Sequence, residues 1–328
     1  MPKKVNLENV VKGVKNTAEN VGKAAVDIGN KSKEVAEASK KAVINAIDQN
    51  GNGEIDIEDI IIMGLRTPGI KVNREDFLRK EFFKNHPEDV VEKIVSNNPA
   101  NAGISKEEVE KIADEIIKYE RNCVSGISAA LGVPGGAAMV ATIPADIAQY
   151  YGYLLRATQK LLYLYGFPEL NVEEKGHQFD TETINIITVC LGIMYGTAGA
   201  NNAIKAMANA LAKGVEKKLL KTALTKGTIY PIVKNVASWF GKKMTKEIFA
   251  GFFKKSIPVV GGVIGGGITF MTFKPCCDKL KESLRDTMLS NPTHEISSEE
   301  NQLVVDIEEY QEISAEDEES IKVIAKND

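Results

Sequence analysis

The sequence predicts an all-α protein, a glycine-rich helical bundle. Three observations carry that prediction. Apolar and small residues recur at steps of three and four, the spacing of one helix face. Helix-start signals, a capping residue followed by acidic residues, precede several of these stretches. No segment alternates apolar and polar residues with turns at strand spacing.

Composition bounds the rest. The 328 residues include 41 Lys+Arg, 45 Asp+Glu and 3 His, for a net charge of −4. With 43 % hydrophobic and 26 % charged residues, the chain is neither wholly disordered nor a collagen nor a disulfide-knotted mini-protein. Its length allows about two domains. Cys123, Cys190, Cys276 and Cys277 form no C-x-x-C pair, so neither a zinc ribbon nor a thioredoxin-like site is indicated. The scattered histidines argue against a His-based metal site. MPKKVNLENV lacks the apolar core of a secretory signal, and with so few cysteines this points to a reducing, cytoplasmic compartment.

The first element, 1–47, is an amphipathic helix. Val14, Ala18, Val21, Ala25, Ile28, Ser32, Val35, Ser39, Val43 and Ala46 make its seam. The seam is rich in Val and Ala, and Gly13, Gly22 and Gly29 each cost about 1 kcal/mol against Ala. A long, loosely docked helix is expected, with a coiled coil as the lesser alternative.

The second element is a helix–loop–helix over 34–66, centred on Asp48-Gln49-Asn50-Gly51-Asn52-Gly53-Glu54-Ile55-Asp56-Ile57-Glu58-Asp59. This segment resembles the EF-hand loop. A hard cation such as Ca²⁺ takes six to eight oxygens at about 2.3–2.6 Å. Asp48, Asn50 and Asn52 occupy loop positions 1, 3 and 5. Gly53 permits the sharp turn at position 6, and Glu54 offers its carbonyl at position 7. Asp56 acts through water at position 9, and Asp59 closes the shell at position 12. Asp59 departs from the usual Glu and is one methylene shorter. With Asn at positions 3 and 5, this implies weak Ca²⁺ binding or a site that accepts Mg²⁺. The rival reading is a turn-rich linker. The outgoing helix is expected from near Ile57 to about Leu65, before Thr67-Pro68-Gly69.

The main body, 67–286, follows. Asn73 before Glu75 and Asp76, Pro87 before Glu88, and Ser105 with Glu108 each open a helix, the last to about Arg121. Three uncharged stretches come next: Asn122–Ala145, Thr183–Ile204 and Ser256–Phe273. Their lengths suit membrane spans, but Pro134, Pro144, Asn201, Asn202 and clustered glycines argue against simple ones. Gly261 with Gly265 and Gly262 with Gly266 allow close helix approach, in membranes or in tightly packed soluble helices. A helix from Asp146 to about Tyr165 gathers Asp146, Gln149, Tyr153, Arg156, Gln159, Lys160 and Tyr163 on one arc. That is an ordinary polar face, or else Asp146 with Arg156 faces a cavity or bound headgroup.

VPGGAAMVATIPADIAQYYGYLLRATQKLLYLYGFPEL at 133–170 resembles the hallmark of the EcsC protein family. ITVCLGIMYGTAGA, GTIYPIVKNVASWFGKKMTKEIFAG and IPVVGGVIGGGITFMTFKPCCDKLKESL are similar to its later blocks. The resemblance spans about 60–286. It implies a helical, apolar fold of bacterial origin, in a family named for an operon that encodes an ABC transporter, and it carries no catalytic residues.

Residues 205–255 hold twelve Lys and two Glu and no Arg. Interleaved with Trp239, Phe249 and Phe252, they suit an anionic membrane surface, or else form a solvated face neutralised by the protein's own acidic tail. No nucleic acid is expected, because the Arg that reads bases is missing. The tail, 287–328, is acidic and expected to be disordered. Together these readings predict a non-catalytic, calcium-ion-binding protein, cytoplasmic and peripheral to the inner face of the membrane. The alternatives are a metal-independent scaffold or transporter accessory protein, and a lipid-handling protein with an apolar cavity.

Overall fold

The structure, a computed structural model, describes residues 45, 47–49, 51, 55–132, 137–173, 179–214, 223–224, 227, 229–240 and 261–303, side chains excepted at 130–132, 137–144 and 261–268. The described residues are helical, with no strand among them. Apart from residues 45 and 47, the 1–47 helix lies outside the described residues, as do most of the Lys-rich segment and the tail beyond 303.

The helices are α1 (Ile57–Arg66), α2 (Arg74–Phe82), α3 (Glu88–Ser96), α4 (Lys106–Gly132), α5 (Ala137–Leu164), α6 (Thr181–Tyr195), α7 (Ala200–Ala212), α8 (Tyr230–Trp239) and α9 (Gly261–Arg285). Local chemistry sets their starts. Asp56 caps α1, and Asn73 caps α2 by accepting from Asp76 N–H at 2.8 Å. Pro87 precedes α3, and Ser105 Oγ accepts from Glu108 N–H ahead of α4. Two bounds differ from expectation. α4 continues past Arg121 to Gly132, because the uncharged stretch after it keeps forming helix. α5 runs through Pro144, whose missing N–H costs a helix one bond without ending it.

The chain divides into two compact units, each built from three segments of the sequence. The first takes Met1–Val72, Asp114–Lys160 and Ala237–Asp278; Ile61, Leu65, Ile70, Ile117, Ile147, Leu154 and Phe273 are buried there. Within it α1 and α5 approach closely at two glycines. A Cβ on Gly64 would stand 2.8 Å from Leu155 Cδ1 and 3.3 Å from the Gly152 nitrogen.

The second unit takes Asn73–Ala113, Leu161–Val236 and Lys279–Asp328. Here the uncharged stretch 183–204 is not one span. α6 ends at Gly196 (φ +76°), and α7 starts after Gly199 (φ +83°), two left-handed positions that suit glycine. Arg74 ties this unit together, donating to Phe167 O at 3.1 Å, Val95 O at 2.7 Å and Asn97 O at 2.6 Å, while its own N–H reaches Glu169. The first part of the expected disordered tail is ordered: Thr287 and Glu300 are buried, and a helix begins near 298.

Candidate functional site

The loop at 48–59 is organised by its own carboxylates. Asp48 Oδ1 accepts from Gly51 N–H at 2.7 Å, and Gly51 takes the left-handed region at φ +74°. Asp56 Oδ1 accepts from Glu58 and Asp59 N–H, the cap of α1. Asp59 is fully buried; its Oδ1 accepts from Gln49 N–H at 2.8 Å and its Oδ2 from Asp56 N–H at 2.9 Å. Asp59 thus joins the two ends of the loop. Asn50, Asn52 and Glu54 lie outside the described residues. Partial desolvation, then the charges of Asp56 and Asp59, push the Glu58 carboxyl up. The described donors are all oxygens, which fits a hard cation rather than a soft one. Among the described residues, however, no three acidic, His or Cys side chains converge to hold a metal ion.

The polar arc of α5 explains where α1 is fastened. Thr67 Oγ1 reaches Ala148 O, Arg156 Nη1 donates to Gly69 O at 3.1 Å, and Gln159 Nε2 donates to Ile70 O at 3.1 Å. Gln159 Oε1 accepts from Val72 N–H at 3.1 Å. Residues 67–72, directly after α1, form a strap held by α5. The polar face is itself buried: Gln149, Tyr153, Arg156 and Gln159 are enclosed, like Ile147 and Leu154 opposite.

Asp146 is not the partner of Arg156. Asp146 Oδ1 accepts from Ser128 Oγ at 2.8 Å, while Arg156 Nε donates to Glu120 Oε2 at 2.8 Å. Lys160 Nζ donates to Glu120 Oε1 at 2.6 Å. Burial opposes the charge on Arg156, but Glu120 outweighs it and holds the guanidinium above its ordinary range. Tyr119 and Cys123 hydrogen-bond beside this group, and burial raises the Cys123 thiol. The cluster joins two cations to one carboxylate. Glu120 was missed in the sequence; its place among apolar Ile116, Ile117 and Val124 on α4 was the available signal.

In the second unit, a cleft of about 250 Å³ opens among Phe167, Leu170, Ile186, Met207, Leu211 and Leu224, with Glu169 and Glu182 also on its wall. His294 lies between Asp286 Oδ1 (3.1 Å from Nδ1) and Glu300 Oε2 (2.9 Å from Nε2), joining the end of α9 to the segment beyond it.

The chain matches no known family model, no curated protein and no solved structure.

Proposed function

We propose that this chain is a non-catalytic, calcium-binding, EcsC-like protein of the bacterial cytoplasm, peripheral to the inner face of the membrane. Its ion would be held by Asp48, Asn50, Asn52, the Glu54 carbonyl, Asp56 through water, and Asp59, with Mg²⁺ as the competing cation. The bound cation supplies a fixed charge that draws these oxygens together. One observation carries the reading. Asp59, the closing position of the loop, lies in the first turn of α1, and α1 leads straight into the strap that Arg156 and Gln159 hold. A change at the loop therefore has a rigid path to α5, the route by which ion binding turns into a change of helix pose.

Calorimetry with CaCl₂ and MgCl₂ tests this on the full chain. Heat that saturates in the wild type and is lost in Asp48→Ala supports the ion site. No heat at millimolar Ca²⁺, or the same heat in the variant, overturns it. The second reading, a metal-independent scaffold or transporter accessory protein, is favoured by the way Asp56 and Asp59 satisfy the loop's N–H groups themselves. The 250 Å³ cleft keeps open a lipid-handling role, which lipid extracted from the purified protein would support.

A further inference from the structure

We propose that one edge of the first unit, built by Phe270 and Met271 of α9 with Lys118 and Arg121 of α4, inserts into the headgroup layer of an anionic membrane. The inference rests on the peripheral-membrane reading above and gives that reading a specific contact surface.

Phe270 is 45 % exposed and Met271 75 % exposed, although the two residues stand at the end of an uncharged run, Ser256–Phe273. Apolar side chains of this size are ordinarily enclosed. On a helix wheel Phe270, Lys274 and Met271 fall within an arc of about 100°. They therefore share one side of α9, with apolar tips and a cation together.

The second helix adds charge of the same sign. The Arg121 guanidinium carbon lies 3.9 Å from the centroid of the Phe270 ring. This contact sets α4 beside the apolar edge, and Lys118, exposed, is one turn back on the same helix. Lys274 pairs with Asp278 at 2.6 Å, so that carboxylate is already answered. The next exposed carboxylate on α4 along this face, Asp114, sits about 10 Å further along the axis than Arg121, and Glu115 lies about 120° round the helix from Arg121. An aromatic and a thioether tip rimmed by cations is the pattern of an interfacial lipid contact: the tips enter the acyl boundary while the cations meet phosphates. A second copy of the chain is a poorer occupant. A two-fold contact across this edge would bring Arg121 and Lys118 close to their own copies.

Flotation of the full chain with vesicles of phosphatidylcholine, with and without phosphatidylglycerol, tests the proposal. Wild type is expected to float with the anionic vesicles and to be released by salt. The double variant Phe270→Glu/Met271→Glu is expected to lose partitioning by about tenfold or more. Both positions are exposed, so its thermal unfolding should match wild type. As a second readout, Met271→Trp in a Trp239→Phe background should blue-shift with anionic vesicles and be quenched by brominated lipid. If wild type does not float, the peripheral-membrane reading itself fails. If wild type floats and the double variant floats equally, that reading stands and this edge is overturned. If wild type is a dimer that the double variant dissociates, with no vesicle binding, the edge is a protein interface and the proposal is also overturned.

Discussion

Arg156 grips a single oxygen of Glu120: both Nε and Nη2 donate to Oε2, leaving Oε1 to Lys160. Glu120 is fully buried and Arg156 nearly so. Two cations thus depend on one enclosed carboxylate. Breaking a buried pair by removing one partner strands the other charge in a low dielectric, at about 3–5 kcal/mol. Glu120→Ala is expected to destabilise the protein by that amount in urea unfolding. A loss below about 1 kcal/mol would show that water reaches the cluster.

Gly192 of α6 packs against Val236 of α8 in the second unit. A Cβ at position 192 would lie 2.7 Å from Val236 Cγ2 and 3.1 Å from Ala200 Cβ. Val is stiff at χ1 and cannot swing clear, so Gly192→Ala is expected to cost about 1–3 kcal/mol by overpacking, despite the better helix propensity of Ala. Adding Val236→Ala should recover part of that loss. A double-mutant cycle with no coupling would mean that α6 and α8 part without strain.

What was legible in the sequence was local. The starts of α2 and α4 followed from Asn73 and Ser105, because a cap and its amide lie within three residues of each other, and that of α3 followed from Pro87; the start of α1 followed from the loop pattern, and its cap by Asp56 did not. The all-α class followed from periodicity. The partners of α5 were not legible. Its polar arc was visible, yet a wheel can suggest pairs only within one helix, and so it offered Asp146 for Arg156. The true partner, Glu120, is 36 positions away on α4, and the other acceptors on Arg156 and Gln159 are carbonyls of the 67–72 strap. Backbone acceptors have no residue-type signature. His294 and Glu300 pair through their side chains, but in a tail whose composition suggested disorder. In the loop, the pattern Asp48–Asp59 named a chemistry, but not that Asp59 would fasten both loop ends.

Tyr163 sets a pH limit. Burial pushes its phenol up to about 12, and the Leu170 N–H that its oxygen accepts only partly offsets this. The folded value lies above the ordinary 10.0, so the protonated form is the one the fold favours. Its contribution is present in full below about pH 10 and is lost as the pH rises from there toward 12. Wild type should therefore lose stability relative to Tyr163→Phe across that window in chemical denaturation, and match it in slope below pH 9 or so. Equal slopes throughout would place the phenol in contact with solvent.

Asp59 and Asp48 should separate structure from ion binding. Asp59 is buried and accepts from two backbone amides, Gln49 and Asp56, one at each end of the loop. Asp59→Ala would strand those donors and is expected to cost about 1–3 kcal/mol without any ion present. Asp48 accepts from the exposed Gly51 N–H, which water can serve, so Asp48→Ala is expected to cost no more than about 1 kcal/mol. Under the ion-binding reading, both variants should lose the rise in melting temperature that millimolar CaCl₂ gives the wild type. Chelator should lower the wild-type melting temperature and leave Asp48→Ala unmoved. If Asp59→Ala is destabilised while neither it nor wild type responds to Ca²⁺, the carboxylates serve the fold alone and the scaffold reading takes over.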